Sequence, residues 1–200
     1  MPRVDLVEPY AIRLFRQNIR DSLMSHGEEC VLIHMLHVPE VQDDPAYPRC
    51  PVCYDDIYNG AAKYDCERCY GTTFDGGVKE IHRAWGLFTD SNDEETFGKR
   101  GMWHPIASSI QTEHRPDLWQ RDYVVRVGSW TIDKRIESVD AIYVFKGVTN
   151  ESLRTGAMIG QTGYDTVSQR ADLQLISPDM PIGKYPFVGQ VFNRFDNKPR

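Results

Sequence analysis

The chain has 200 residues, 40% of them hydrophobic and 11% aromatic, which suits one domain with an elaboration or two small domains. No apolar stretch approaches the roughly 20 residues that a membrane-spanning helix needs, so a membrane span is not expected. The net charge is −6 and the basic residues are scattered. A protein that wraps nucleic acid concentrates positive charge, and this composition argues against that class.

A helix is predicted from Pro9 to about Met24, because apolar residues recur there at three- and four-residue steps. Pro9 suits the first helical position, and Gly27 supplies a stop soon after the last periodic residue. The predicted apolar stripe consists of Tyr10, Ala11, Leu14, Phe15, Ile19 and Leu23. The arginines of this segment fall on another face, which we expect to be solvated: Arg13, Arg16 and Arg20.

A first strand is predicted from Cys30 to Val38, a short apolar run that Pro39 bounds. Cys30 itself is expected to be a small buried hydrophobic residue. A polar connector, residues 39–45, then leads towards a cysteine-rich loop. The chain is accordingly divided into a helix and first strand at 1–46, a metal-binding insertion at 47–77, and a β body with an irregular tail at 78–200.

The insertion contains two Cys-x-x-Cys pairs, Cys50-Pro-Val-Cys53 and Cys66-Glu-Arg-Cys69, with twelve residues between them. Each pair can form a knuckle, a tight turn that points two thiolates at one position. This spacing is close to that of zinc ribbons and predicts a structural Zn²⁺ site with a closed shell of four thiolates. An ion is needed because so short an insertion cannot bury enough apolar surface to hold a shape.

Three other uses of the four cysteines remain open at this stage. Disulfides are disfavoured because the chain starts without a basic and then apolar signal segment, which favours a reducing compartment. A dithiol redox centre needs only one pair. An iron–sulfur cluster also accepts four thiolates. Five tyrosines crowd the same region and either cover the metal or form a contact surface: Tyr47, Tyr54, Tyr58, Tyr64 and Tyr70.

After the second knuckle, a strand is predicted from Val78 to Phe88, followed by a long exposed loop at Thr89–Gly101. The acids of this loop fit no calcium-binding spacing, so a solvated loop is expected. Beyond it, hydrophobic residues alternate with a period of two near Tyr123, Tyr143 and Ala171, which is typical of strands. Prolines break the regularity of the tail. The predicted fold is mainly β, an antiparallel barrel or sandwich with an N-terminal helix and the inserted cysteine loop.

A catalytic function is not predicted. The sequence has no Gly-x-Ser-x-Gly elbow, phosphate-binding loop or dinucleotide fingerprint. His34 and His37 are three apart and cannot share a strand face, so they make a poor metal pair. His104, between a tryptophan and a proline, is a lone candidate, and a lone histidine is more often structural. No nucleophile with its base can be named.

The cysteine block resembles that of tailed-phage neck proteins, the head-to-tail connector, stopper or head-closure proteins between portal and tail. The resemblance covers about Tyr47 to Ile176, and the cysteine block is its specific part. The cysteine block consists of Tyr47–Asp55 and Cys66–Gly77, and weaker similarity is found at Pro116–Tyr123 and Val148–Gly156.

This resemblance implies a structural virion protein without enzymatic turnover, located at the head–tail interface and assembled in the host cytoplasm. It implies a ring, a hexamer for a stopper, stacked on the portal or its head-to-tail adaptor and facing a tail terminator or tail tube protein. Packaged DNA would pass through the lumen without sequence-specific contact, and an acidic chain suits such a channel. The acidic segment Asp90–Glu95 is a candidate lumen or gate element.

Two other function classes compete with this expectation. A zinc-ribbon nucleic-acid-binding or regulatory protein would bind DNA or RNA in a salt-dependent manner. A zinc-dependent hydrolase would need a metal with an open coordination position, which four thiolates do not leave.

Overall fold

The computed structural model describes residues 9–36, 45–55, 57–58, 60–61, 65–90, 107–155 and 163–195. Within these ranges the elements are α1 (Pro9–His26), β1 (Glu28–Met35), β2 (Tyr54–Asp55), β3 (Gly60–Ala61), β4 (Val78–Asp90), β5 (Ala107–Glu113), β6 (Tyr123–Trp130), β7 (Ile136–Thr155), β8 (Gly163–Leu175) and a 3-10 helix (Pro181–Lys184). The acidic segment after Asp90, the connector before Pro45, His37 and His104 lie outside the described ranges.

Six strands close into an antiparallel barrel in the order β1-β4-β5-β8-β7-β6, with β6 pairing back onto β1. This decides between the barrel and the sandwich that the sequence left open. The two long strands make closure possible, because each pairs with different neighbours along its length. β4 pairs with β1 up to Gly86 and with β5 from Gly86 onwards, while β7 pairs first with β6 and then with β8.

The core inside the barrel receives side chains from all six strands. Its buried members are Cys30, Leu32, Ala107, Ile110, Leu118, Val124, Tyr143, Phe145 and Ala171, and β4 adds the partly buried Ala84 and Phe88. The alternation near Tyr143 and Ala171 is confirmed by the burial of Tyr143, Phe145 and Ala171 and by the partly buried Leu173, whereas Leu175, also expected on this face, is 42% exposed. Cys30 is fully buried among them, as expected of a small apolar residue, and burial raises the pKa of its thiol.

A second core lies on the outer surface of β1 and β6, although the alternation in β6 predicted only one face on a core. Val31, Ile33 and Val125 point outwards here and are nevertheless fully buried. The cover is the C-terminal segment, whose Ile182 and Phe187 are 1% and 3% exposed. The tail predicted to be irregular does lack strands in its described part, yet it packs firmly against the barrel.

Helix α1 begins at Pro9 as predicted and continues to His26, two residues past Met24. Gly27 ends it at a close approach, because a Cβ there would lie 2.6 Å from the Leu23 carbonyl oxygen and 2.8 Å from that of Gly86. None of the described helical residues forms a helix long and apolar enough to span a membrane.

The buried face of α1 differs from the predicted stripe. Leu23 is buried as predicted, and Ala11 and Ile19 are partly buried. Tyr10, Leu14 and Phe15 are instead exposed, Tyr10 by 72%, and Ile12, outside the predicted stripe, is buried. The face is rotated because two arginines expected in solvent hold α1 to the barrel. Arg16 donates two hydrogen bonds to the Thr166 carbonyl oxygen, at 2.9 and 2.7 Å. Arg20 lies 3.9 Å from the Glu113 carboxylate.

Candidate metal centre

The cysteine loop is inserted between β1 and β4, and hydrogen bonds close its base. The Leu36 amide, just after β1, donates to the Gly77 carbonyl, just before β4, at 3.0 Å. The Asp75 amide donates to the Pro48 carbonyl at 2.9 Å. Inside the loop, β2 and β3 form a two-stranded hairpin. The two ends of the insertion are therefore bonded to each other, and its exit is bonded to the residue that follows β1.

The four predicted ligands come together. The sulfur atoms of Cys50, Cys53, Cys66 and Cys69 all lie within 4.8 Å of one another, and each residue is at most 6% exposed. They pair across the two knuckles, with 3.9 Å between the Cys50 and Cys66 sulfurs and 3.2 Å between those of Cys53 and Cys69. Among the described residues, this is the group of three or more potential ligands that meets the 4.8 Å limit.

These distances fit a metal and not disulfides. A disulfide requires an S–S distance of about 2.05 Å, and all four thiols are free. A tetrahedral ion with four Zn–S bonds of about 2.3 Å would separate the sulfurs by about 3.8 Å. The Cys50–Cys66 separation of 3.9 Å matches that value, and the Cys53–Cys69 separation of 3.2 Å is about half an ångström shorter. The residues present therefore fit a four-thiolate metal ion.

The two knuckles share one local design. In each, a tyrosine follows the second cysteine and its amide donates back to the carbonyl of the first cysteine. The bond from Tyr54 to Cys50 is 3.1 Å long and the bond from Tyr70 to Cys66 is 2.9 Å. This turn places both sulfurs of a Cys-x-x-Cys unit on the same side of the chain, which explains why the spacing alone predicted the site.

A glycine permits the second knuckle to pack against the loop's exit. Gly77 has φ +64°, and a Cβ there would lie only 2.2 Å from the Cys69 carbonyl oxygen. That carbonyl also accepts hydrogen bonds from the Thr72 amide at 3.0 Å and the Thr72 hydroxyl at 2.8 Å. Any side chain at position 77 would displace the backbone that carries a sulfur ligand.

The surroundings shift the pKa values of the cysteine thiols in different directions. Burial raises the pKa of Cys53 and Cys69. Burial also opposes ionisation of Cys66, but hydrogen bonds from the Cys69 and Arg68 amides outweigh it and bring its pKa to about 7. Backbone N–H groups thus favour a thiolate at Cys66, the species that binds a metal.

Aromatic and cationic side chains form a small cluster of their own around Arg49, the residue before the first cysteine. Phe74 is fully buried with Leu36 and the partly buried Tyr47. The Arg49 guanidinium lies 4.3 Å from the centre of the Phe74 ring and 4.7 Å from that of Tyr54. Of the five tyrosines, Tyr47 and Tyr54 belong to this cluster, and Tyr70 packs against the second core of the barrel. Tyr58 is 82% exposed, and Tyr64 lies outside the described residues.

Sequence reasoning missed the attachment of the loop to the C-terminal segment. The Lys184 ammonium pairs with the carboxylate of Glu67, a residue that lies between the two cysteines of the second pair. The Tyr70 and Tyr185 rings lie 5.9 Å apart, and Tyr185 stacks in turn against Phe187 at 4.7 Å. More than 110 residues separate the partners, so no local pattern indicated the contact.

The sequence also missed a buried histidine–carboxylate pair. His34 Nδ1 lies 2.8 Å from Asp122 Oδ2, and the two residues are 8% and 1% exposed. The prediction that His34 and His37 make a poor metal pair falls outside the described residues, because His37 is not among them. A partner 88 positions away gives no sequence signal, since the barrel alone brings β1 beside the start of β6.

Neither a known protein-family model nor a curated protein sequence matches this chain. The chemistry of the centre therefore rests on its own geometry. Four buried sulfurs enclose a site suited to an ion with no remaining coordination position, which is an arrangement that stabilises a loop and not one that activates water.

Proposed function

We propose that this chain is a structural virion protein of a tailed-phage neck, of the stopper or head-closure type. It forms a ring between the portal or its adaptor and the tail, closes the DNA channel after packaging and receives the tail. It acts mechanically and is not an enzyme. It assembles in the host cytoplasm and resides at the head–tail interface of the virion.

The observation that carries this proposal is the enclosed four-sulfur centre in a loop fixed at both ends and along one side. Zn²⁺ is the ion we propose, because it favours a closed tetrahedral thiolate shell when its role is structural. The cysteine block of Tyr47–Asp55 and Cys66–Gly77 is also the specific part of the resemblance to neck proteins. A rigid projection on a barrel is what a docking ring requires.

The surface of the loop supports a contact role. At the tip of the hairpin, between β2 and β3, Ile57 and Tyr58 are 84% and 82% exposed. Isolated apolar residues are normal on a protein surface, but an aromatic and an aliphatic residue side by side on a metal-stiffened tip suit an interface. We therefore place the subunit or tail contact at this tip.

The charge of the chain supports a channel through which DNA slides. A net charge of −6 repels phosphates, so DNA passes without sticking. The acidic segment Asp90–Glu95 is our candidate for the lumen or gate.

The decisive experiment is a reconstruction of purified particles by electron cryomicroscopy, with mass spectrometry of their proteins. We expect a ring of this chain, six copies for a stopper, between portal and tail. Mature particles that lack the chain would refute the proposal.

The remaining alternative is a zinc-ribbon nucleic-acid-binding or regulatory protein, which shares the four-cysteine centre. It predicts affinity for DNA or RNA that falls steeply with salt. A fluorescence anisotropy titration at low salt separates the two, since the neck protein is expected to show no binding.

A further inference from the structure

A second group of potential metal ligands lies at one end of the barrel, on β1 and β4, the two strands that flank the cysteine loop. A cleft of about 270 Å³ opens there, between the end of β1, the start of β4, the loop before β6 and the C-terminal segment. Its lining includes His34, Glu80, Trp119, Asp122 and Phe195. The mouth of a β-barrel is a common place for a ligand site.

His34 is held in the orientation of a metal-binding histidine. The Asp122 carboxylate accepts hydrogen bonds from the Met35 amide at 2.9 Å and the Trp119 amide at 3.2 Å. It therefore acts as an acceptor towards His34 as well, and Nδ1 of His34 donates to it at 2.8 Å. A neutral ring with its hydrogen on Nδ1 carries a lone pair on Nε2.

That lone pair has no protein partner. His34 is 8% exposed, and its buried Nε2 has no hydrogen-bonding group within reach among the described residues. Buried polar atoms are nearly always paired, so such an exception calls for an explanation. A histidine that donates one nitrogen to a carboxylate and leaves the other bare is the arrangement found beside bound metal ions.

Two further donors share this face of the sheet. Glu80 lies directly opposite His34 in the β1–β4 register, and His82 follows two residues later on the same side. The His34 and His82 ring centres are 6.0 Å apart, and His82 Nε2 lies 2.8 Å from the Glu80 carboxylate. Phe195 packs against His82 with 5.1 Å between the ring centres, and the His82 and Glu80 side chains are 20% and 53% exposed.

The fit to a metal requires a small adjustment. Two imidazoles on one tetrahedral zinc have ring centres about 5 Å apart, given Zn–N bonds of about 2.0–2.1 Å. The two ring centres lie 6.0 Å apart, so they must approach each other by about 1 Å. A rotation of the His82 side chain, which is 20% exposed, can supply this movement. The His34, Glu80 and His82 donors do not yet lie within 4.8 Å of one another, as the four sulfurs do.

We propose that His34 Nε2, His82 and Glu80 form a second binding site, for a divalent transition-metal ion such as Zn²⁺. Asp122 orients His34 and does not contact the ion. Two nitrogens and one carboxylate leave a coordination position that the cysteine centre lacks, and the adjacent cleft gives water or a small ligand access to it. This inference does not depend on the neck function.

The test is a cobalt titration of the purified full-length chain, stripped of metal under reducing conditions. Thiolate ligands give cobalt a strong near-ultraviolet charge-transfer band, whereas imidazole and carboxylate ligands do not. We expect elemental analysis after desalting to find two equivalents of bound cobalt per chain. The charge-transfer band should reach its maximum after the first equivalent has been added. The second equivalent should give only the weaker visible bands.

Variants then assign the second equivalent. His82→Asn and Glu80→Gln change partly exposed side chains, so the barrel should fold, and each should weaken the second equivalent at least tenfold while leaving the charge-transfer band intact. His26→Asn, at the exposed end of α1, is the matched histidine control and should retain both equivalents. A single equivalent in the unmodified chain, or a second one that His82→Asn leaves unchanged, would overturn the proposal.

Discussion

At the scale of single residues, the cysteine centre depends on backbone positions as much as on sulfur. Two adjacent glycines at the loop's exit differ in their surroundings. Gly76 and Gly77 have φ +80° and +64°, but a Cβ at position 76 would meet nothing within 4 Å, whereas one at position 77 would strike the Cys69 carbonyl. Substitutions at these two glycines therefore distinguish the effect of backbone strain, which both positions share, from the effect of a steric clash with the cysteine centre, which occurs only at position 77.

Gly77→Ala is therefore expected to lower zinc affinity at least tenfold, measured by competition with a chromophoric chelator. Gly76→Ala serves as the control. It should cost about 1–2 kcal/mol in unfolding free energy, the penalty of a left-handed alanine, and leave zinc affinity nearly unchanged. Equal zinc affinities for the two variants would show that the contact with Cys69 does not hold the knuckle.

His114 links stability to pH. Burial, and then the positive charges of Arg16 and Arg115, lower its pKa from 6.5 to about 4. Between these values the unfolded chain binds a proton that the folded chain does not, so stability falls as pH falls from 6.5 towards 4. Above pH 6.5 this contribution is constant.

His114→Gln removes that proton linkage. We expect its unfolding free energy, measured by urea denaturation, to decline less than that of the unmodified chain between pH 6.5 and 4.5. His26→Gln, with an exposed side chain, should follow the unmodified chain. Parallel pH profiles for all three proteins would contradict the assignment to His114.

At the scale of elements, the barrel and the cysteine loop have different sources of stability. The barrel has a core fed by all six strands, whereas the described part of the loop has one buried cluster besides the cysteines, Phe74 with Leu36. We therefore expect the loop, and not the barrel, to depend on a bound ion for its shape.

Cys66→Ser should release the loop while the barrel persists. Hydrogen exchange is expected to show lost protection at the Tyr54, Tyr70 and Thr72 amides, which donate to the carbonyls of the cysteine residues. Amides of β6 and β8 should stay protected, and ring assembly should fall more than barrel stability. Equal loss in the loop and the barrel would instead make the metal part of the barrel's core.

At the scale of the whole molecule, the loop, the C-terminal segment and the barrel form one connected body. Contacts of Lys184 with Glu67 and of Tyr185 with Tyr70 join the cysteine loop to the C-terminal segment, which covers β1 and β6. A load on the loop tip is therefore passed to the barrel wall, as the proposed docking role requires.

Ile57→Ser tests that role, because Ile57 is 84% exposed at the tip and contributes little to folding. We expect at least a tenfold loss of assembled ring in sedimentation or complementation assays, with metal content unchanged. Ile132→Ser is the matched control, since Ile132 is 101% exposed in the turn between β6 and β7. If both variants assemble normally, the tip is not the interface.

The sequence by itself determined the features that arise from neighbouring residues. The Cys-x-x-Cys spacing brings two sulfurs together within one turn, and the alternation at Tyr143–Phe145 indicates a strand that faces a core. The start of α1 at Pro9 and its end at Gly27 follow from the same local chemistry. These properties need no knowledge of which elements become neighbours.

Only the tertiary structure decided which distant residues meet. The rotation of α1 depends on Arg16 reaching Thr166, and the burial of both faces of β1 depends on the C-terminal segment. The contact of His34 with Asp122 exists because barrel closure sets β1 beside β6. Pairing across a closed sheet is a property of the whole chain, since each strand's alternation fits several neighbours and only the complete packing selects one.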